Sequence, residues 1–195
     1  MNAWNVVRDF ENVVAEYAGA PYAVAVDSCT WALFLCCRYL HVGVVTLPKK
    51  TYCSVPGAVI HAGGSVQFCN GDWSGWYSLT PYHIADSACC FHKGMYRSGW
   101  FFCLSFQARK HIPIGRGGMI LTDNKEAAEW FRLARFNGRR EEPMSQDSKP
   151  AFVGWHCFME PERAARGLQL MMNVKDDNPD LVFDYPDLSL WGLYQ

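Results

Sequence analysis

Lys110 lies in a stretch whose composition could support covalent chemistry. An apolar run, Trp100–Leu104, is typical of a buried strand, and a polar loop carrying Lys110 separates it from a second short strand, Met119–Leu121. A desolvated lysine amine is a nucleophile that condenses with a carbonyl group to form a Schiff base. On this stretch alone, a lysine beside Arg109 and Arg116 is more typical of an exposed loop.

Ser28 and Thr30 stand between a strand and a helix. The β-rich run Tyr22–Val26 precedes them, and the apolar segment Trp31–Leu40, expected to be a buried helix, follows. Hydroxyls and free backbone N–H groups at a helix N-terminus form a natural phosphate site. The simpler interpretation is an N-cap, which is the common role of Ser or Thr at this position.

Asp86 is the acidic residue of a short apolar strand, His83–Cys89, and it needs a cationic or hydrogen-bonding partner. Ser105 follows the next strand, just before Lys110. Ligands collect at the carboxyl ends of the strands in open α/β sheets. These polar residues, together with Ser28 and Thr30, therefore predict one shared site.

Strands and helices alternate along the chain. The pattern predicts further strands at Val42–Leu47 and Ser65–Cys69, and helices at 2–18, Tyr52–Ala62, Lys125–Phe136 and Glu160–Val174. Residues 70–81 are expected to form a surface segment with aromatic anchors, 139–150 a mobile loop and 176–195 a polar tail. The alternation predicts an α/β fold with three layers, α/β/α, around a mostly parallel mixed sheet.

The composition excludes several classes of protein. The 18 basic and 19 acidic residues nearly cancel, and the run Arg135, Arg139, Arg140 precedes Glu141-Glu142, which favours a solvated helix end over a nucleic-acid surface. Nine cysteines with no Cys-x-x-Cys spacing predict free thiols and no metal site. Because the sequence carries neither a signal peptide nor an apolar run of membrane length, we expect a soluble, cytoplasmic protein without membrane association.

Several sequence blocks occur together in the order of one known family. The chain resembles the DegT/DnrJ/EryC1/StrS sugar aminotransferases, enzymes that use pyridoxal 5′-phosphate (PLP). The resemblance covers most of the chain, from the first helix to about residue 170, and rests on Asp27–Leu33, Leu47–Tyr52, Asp86–Ala88, Ser105–Lys110, Gly115–Gly118, Gly154–Met159 and Ala164-Ala165. It implies the large-domain fold of the PLP-dependent transferases, similar to that of aspartate aminotransferase.

The resemblance implies a role in PLP binding for each candidate residue. Lys110 would hold PLP as a Schiff base and move the substrate's α-proton, and Asp86 would pair with the pyridinium nitrogen. The phosphate would lie at the start of the second helix, and the remaining contacts would come from the ring of Tyr52 and the thiol of Cys89. The residues implied at the phosphate are Ser28, Cys29, Thr30, Ser105 and, across a homodimer interface, His156.

This sequence departs from the family pattern at several positions. Cys29 replaces a glycine, Cys89 replaces Gln or His near the cofactor's phenolic oxygen, Arg116 stands where an acid is common, and His156 replaces an asparagine. Family members also continue into a C-terminal small domain. We therefore expect a minimal PLP-binding large domain at 1–175 and a remnant of the small domain at 176–195. Such a short chain suggests a fragment or a compact member from a small genome, such as that of a virus.

Three functions remain open at this point. The first is transfer of an amino group from glutamate or glutamine to a keto-sugar nucleotide or a similar carbonyl substrate. The second is another PLP-dependent reaction, such as dehydration, decarboxylation or elimination, because the groups that select the bond to be broken are not recognisable. The third is a degenerate, non-catalytic family member, which the retention of both Lys110 and Asp86 disfavours.

Overall fold

Helices and strands alternate along the chain as the sequence pattern predicts. The computed structural model describes residues 2–194. Its helices are α1 (Asn5–Ala18), α2 (Cys29–Tyr39), α3 (Ser54–His61), α4 (Lys125–Ala134) and α5 (Pro161–Met171), followed by a 3-10 turn at Leu188–Leu190. Its strands are β1 (Tyr22–Val26), β2 (Val44–Pro48), β3 (Ser65–Cys69), β4 (Tyr77–Ser78), β5 (Ile84–Asp86), β6 (Phe101–Ser105) and β7 (Gly118–Thr122). None of the helices within 2–194 has the length and apolarity needed to cross a membrane.

The strands form a mixed sheet, which confirms the predicted fold class. Five of them pair in the order β1-β7-β6-β5-β4, and β2 pairs with β3 in parallel beside them. Strands β5 and β6 are parallel, while β7 is antiparallel to both β1 and β6, so β1, β5 and β6 run in the same direction. The carboxyl ends of these three strands consequently meet at one edge of the sheet.

Two hydrophobic clusters cover the two faces of the sheet. Successive side chains of a strand point to opposite faces, and in β6 Phe102 and Leu104 join one cluster while Phe101 and Cys103 join the other. The first cluster contains residues of α1 and α5, and the second contains residues of α2, α3 and α4. The sheet is therefore the middle of three layers.

Two element boundaries differ from prediction for identifiable reasons. Helix α2 begins at Cys29, two residues early, because the Ser28 hydroxyl accepts the Trp31 N–H at 3.2 Å and caps the helix. Strand β5 ends at Asp86, because the Asp86 carboxylate accepts the Ala88 N–H at 3.1 Å and bends the chain away from the sheet.

The predicted surface segment 70–81 contributes a strand. Tyr77–Ser78 form β4 at the edge of the larger sheet, antiparallel to β5. The Tyr77 ring is buried and so anchors this segment to the interior. Two paired residues are too short a run to be recognised from alternation in the sequence.

The interpretation of Arg135 as part of a solvated helix end is wrong. Its side chain is fully buried and forms ion pairs with Glu11 and with Glu141, the latter at 2.6 Å. Burying a guanidinium requires charged partners, and Glu11 lies more than a hundred residues away in sequence. Glu141 also anchors the loop 139–150, which was expected to be mobile, to the protein interior.

All nine cysteines are free thiols in the structure, as the sequence predicts. Most of them are buried in the apolar interior, where Cys36 and Cys103 approach each other to 3.7 Å. Burial raises the pKa of the Cys36 thiol. The neutral thiol therefore behaves as a small apolar side chain.

Candidate active site

One cavity of about 210 Å³ opens at the shared carboxyl edge of β1, β5 and β6. Eight of the nine residues predicted from the sequence line it: Ser28, Cys29, Thr30, Tyr52, Asp86, Cys89, Ser105 and Lys110. The others that bear on its chemistry are Thr51, Ser54, Trp73, Gln107, Arg109, Phe183 and Tyr185. The convergence follows from topology, because three strands that run in one direction end at the same edge.

Asp86 presents a buried carboxylate to this cavity. It is 6% exposed, and it accepts hydrogen bonds from the Tyr77 hydroxyl at 2.7 Å and from the Ala88 N–H at 3.1 Å. The Cys29 thiol lies 3.8 Å from the same side chain. Burial raises the pKa of Asp86, and the hydrogen bond from Tyr77 opposes that change. Because these donors are uncharged, a cationic ligand group would stabilise this carboxylate strongly.

Tyr77 is a site residue that the sequence interpretation missed. Its hydroxyl connects the Asp86 carboxylate to the hydroxyl of Thr51, which is also buried. Tyr77 lies directly opposite Asp86 in the β4–β5 pair. This cross-strand register is a long-range property of the fold, and the sequence around Tyr77 carries no local signal of it.

Lys110 is placed by a tight turn after β6. Its backbone N–H donates to the Gln107 carbonyl at 2.9 Å, and the Gln107 side chain accepts the Arg109 N–H at 2.8 Å. The Lys110 ammonium donates to the Cys89 sulfur at 3.5 Å and lies 4.3 Å from the centroid of the Phe183 ring. Burial raises the pKa of Cys89. The amine of Lys110 therefore faces the cavity from a defined position.

The N-terminus of α2 forms the opposite wall. Its first turn leaves backbone N–H groups without intrahelical partners, as at every helix start. The hydroxyls of Thr30 and Ser54 are 2.7 Å apart beside it. Gly118 packs against this turn, and a Cβ atom at that position would collide with the backbone of Ser28. Together these groups form a polar cradle suited to an anion.

Arg116, where the family commonly has an acid, forms an ion pair with Asp27. Asp27 directly precedes Ser28, and its carboxylate also pairs with Arg163 of α5 at 3.1 Å. The two arginines thus fasten the residue next to the polar cradle. The positive charge of Arg116, which differs from the family pattern, is therefore compensated by the carboxylate of Asp27.

Tyr52 and His156 occupy different positions relative to the cavity. Tyr52 lines the mouth, is 55% exposed, and lies 6.4 Å from Tyr185 between ring centroids. His156 is exposed and lies away from the lining, where its Nδ1 is 3.1 Å from the side-chain nitrogen of Asn137. The structure therefore does not bring His156 into the cavity of its own chain.

Residues 178–188, here named the strap, cross the mouth of the cavity. On one side the Leu181 N–H donates to the Cys89 carbonyl at 2.9 Å. On the other side the Leu188 N–H donates to the Lys49 carbonyl at 2.9 Å, and the Lys49 ammonium pairs with Asp187 at 2.8 Å.

Phe183 and Tyr185 are the strap residues that line the cavity. The Tyr185 ring stacks on Trp73 with centroids 6.0 Å apart, and burial raises its pKa. The sequence interpretation treated this segment as a polar remnant. Phe183 and Tyr185, which stand among prolines and acids in the sequence, were the signal that this segment packs against the rest of the protein.

Comparison with solved structures defines the class of protein. The fold matches 3-amino-5-hydroxybenzoic acid synthase with a TM-score of 0.74 and 20% identity, over 86% of this chain and 56% of that one. It also matches NtdA from Bacillus subtilis, solved with bound PMP, with a TM-score of 0.72 and 20% identity, over 87% of this chain and 48% of that one. The fold is that of the PLP-dependent aminotransferases.

Sequence comparison identifies the family. The model of the DegT/DnrJ/EryC1/StrS aminotransferase family matches residues 2–87 and 93–178. The chain belongs to this family, which confirms the prediction. The spore coat polysaccharide biosynthesis protein SpsC of Bacillus subtilis is 27% identical in an alignment 178 residues long. The alignment covers 68% of this chain and 46% of that protein. The chain thus spans about half the length of the curated relatives it matches.

Proposed function

We propose that this protein is a PLP-dependent aminotransferase that moves an amino group from glutamate or glutamine to a keto-sugar nucleotide or a similar carbonyl substrate. The observation that carries the proposal is the presence of both the Lys110 amine and the buried Asp86 carboxylate in the lining of one cavity. Membership of an aminotransferase family supports the reaction class. The amino donor and the acceptor are inferred from the family resemblance.

The lining residues fit PLP at both ends. The Asp86 carboxylate receives hydrogen bonds from uncharged groups, so a protonated ring nitrogen would supply the cation that it lacks. The phosphate would lie in the polar cradle, against the backbone N–H groups of Cys29 and Thr30 and the hydroxyls of Thr30 and Ser105. The glycine at position 118 keeps the turn of this cradle free of a side-chain collision.

The residues predicted from the sequence then have chemical tasks in this cavity. When bound, PLP supplies an aldehyde carbon that reacts with amines and a ring that withdraws electrons. Lys110 would hold the cofactor through its side-chain amine, and as a free amine it would act as the base for the proton on the donor's α-carbon. Asp86 would keep the ring nitrogen protonated, Tyr52 would offer its ring to the cofactor at the mouth, and the Cys89 thiol adjoins Lys110.

The proposal is tested by adding PLP to the purified protein and then adding an amino donor. We expect a visible absorbance band from lysine-bound PLP, which glutamate or glutamine converts to an equal amount of pyridoxamine phosphate. If a substrate is turned over without formation of pyridoxamine phosphate, the reaction is an elimination or a decarboxylation and not a transamination. A protein that stays colourless and fails to bind PLP would instead be a non-catalytic member of the family.

The proposal includes a cytoplasmic homodimer in which His156 reaches the phosphate of the partner's cofactor. The exposed position of His156, outside its own cavity, supports such a role. We expect light scattering to give the mass of two chains. A strict monomer would remove His156 from the proposed site.

A further inference from the structure

Arg109 adjoins Lys110 at the cavity, and none of the tasks described above uses it. Its backbone is held in the turn by the hydrogen bond to the Gln107 side chain, so its position relative to Lys110 is fixed. Its guanidinium lies 5.1 Å from the centroid of the Phe183 ring, and the Lys110 ammonium lies 4.3 Å from the same centroid. The two cationic groups are therefore gathered around one aromatic ring.

The guanidinium of Arg109 is available to a ligand. Its side chain is exposed, and it makes no ion pair within 4.0 Å in the part of the chain that the structure describes. The contact with Phe183 leaves the N–H edge of the guanidinium without a charged partner among the described residues. That edge has the planar geometry that binds a carboxylate through two parallel hydrogen bonds.

The charge pattern of the cavity identifies the ligand group. Asp86, Arg109 and Lys110 are the Asp, Glu, Lys and Arg side chains that line it in the described part of the chain. Lys110 is committed to the cofactor and Asp86 to its ring nitrogen, so Arg109 is the cation left for the substrate. In an amino acid, the carboxylate and the amino group share one carbon atom. An amino group placed at Lys110 therefore brings its carboxylate into the same cavity that Arg109 lines, beside the Phe183 ring that both cations contact.

We infer that Arg109 binds the α-carboxylate of the amino donor and that Phe183, on the strap, holds its guanidinium in place. This inference rests on the proposed function. Arg109 is thus a specificity-determining residue that selects amino acids over simple amines. Phe183 is a positioning residue, which acts through Arg109.

Binding of an unreactive dicarboxylate tests the inference without any turnover. Calorimetric titration with glutarate compares the wild-type protein with R109Q, each with and without PLP. Loss of a charge-assisted hydrogen-bonded pair is expected to weaken glutarate binding by about 10- to 100-fold. R109K should recover part of the affinity, because lysine keeps the charge but loses the bidentate geometry.

A matched control and a matched substrate pair sharpen the test. Arg97 lies 4.7 Å from the Trp76 ring centroid, in a similar stacked arrangement but away from the cavity, so R97Q should bind glutarate as the wild type does. Glutamate and 4-aminobutyrate differ by the α-carboxylate alone. The quantity to compare is the amine concentration that gives half-maximal loss of the visible band. R109Q should raise this concentration by about 10- to 100-fold for glutamate and leave it unchanged for 4-aminobutyrate.

Several results would overturn the inference. Equal glutarate affinity in the wild type and R109Q would show that Arg109 binds no carboxylate. An equal loss for both amines would mean that Arg109 binds the distal carboxylate that they share, and loss of PLP affinity in R109Q would make Arg109 a cofactor ligand. A wild-type protein that binds glutarate through Arg109 but gains no band with PLP would refute the proposed function and leave the carboxylate site intact.

Discussion

Replacing Lys110 with alanine is expected to eliminate the visible absorbance band of bound PLP and to reduce transamination by at least about 100- to 10,000-fold, the usual contribution of a positioned acid–base group. The amine of Lys110 faces the cavity from a turn anchored by Gln107, so the variant removes a reactive group without disturbing the turn's backbone hydrogen bonds. Absorbance spectra and single-turnover assays with glutamate would measure both effects.

Lys110→Arg is the control for charge and packing. It retains a cation beside the Phe183 ring but cannot form the covalent attachment, so it should fold like the wild type and remain colourless. Circular dichroism would verify the fold. If either variant kept the band, PLP would be attached to another lysine. Lys49 and Lys50, which follow β2 near the strap, would then be the candidates.

Asp86→Asn is expected to reduce the rate of amino-group transfer by about 150- to 5,000-fold, because removing one partner of a buried charge pair costs roughly 3–5 kcal/mol. Asparagine has nearly the same shape and can still accept the hydrogen bond of Tyr77. It carries no charge to keep the cofactor's ring nitrogen protonated. Stopped-flow measurement of band loss with glutamate would give the rate.

The stability of the cofactor-free protein separates this electrostatic role from a structural one. Burial raises the pKa of Asp86, which means that the folded protein disfavours the charged carboxylate near neutral pH. Asp86→Asn should therefore melt no earlier than the wild type when PLP is absent. Tyr77→Phe, which removes one hydrogen bond to Asp86, should slow transfer by only about 10-fold. A lower melting temperature in Asp86→Asn together with unchanged transfer would contradict the proposed role.

The candidate site was predictable where it depends on local sequence. Ser28, Asp86 and Ser105 each stand at the end of an apolar run, and the alternation of strands and helices places such ends at one sheet edge. The positions of Cys29 and Thr30 at the site were predictable because they stand at the start of α2. In these cases the position along the chain determines the position in the fold.

Apart from the element boundaries, the main features that escaped prediction depend on at least one contact between distant segments. Tyr77 reaches Asp86 through strand register, Arg135 is buried because Glu11 and Glu141 meet it, and Tyr185 packs at the mouth of the cavity from the tail. No local pattern encodes these partners. The sequence provides the residue types, whereas the topology of the sheet decides which of them meet.

The way the strap is attached bears on how this protein could acquire new substrates. Its fastenings at Leu181 and Leu188 are backbone hydrogen bonds, which do not depend on the identity of the side chains of residues 182–186, and the ion pair of Asp187 with Lys49 adds a side-chain contact at one end. The side chain of Val182 is 88% exposed, and Phe183 and Tyr185 face the cavity rather than the sheet interior. Substitutions along this segment can therefore change which molecules are accepted without weakening the hydrophobic clusters that hold the sheet and helices together. Selectivity and folding are thus free to evolve separately.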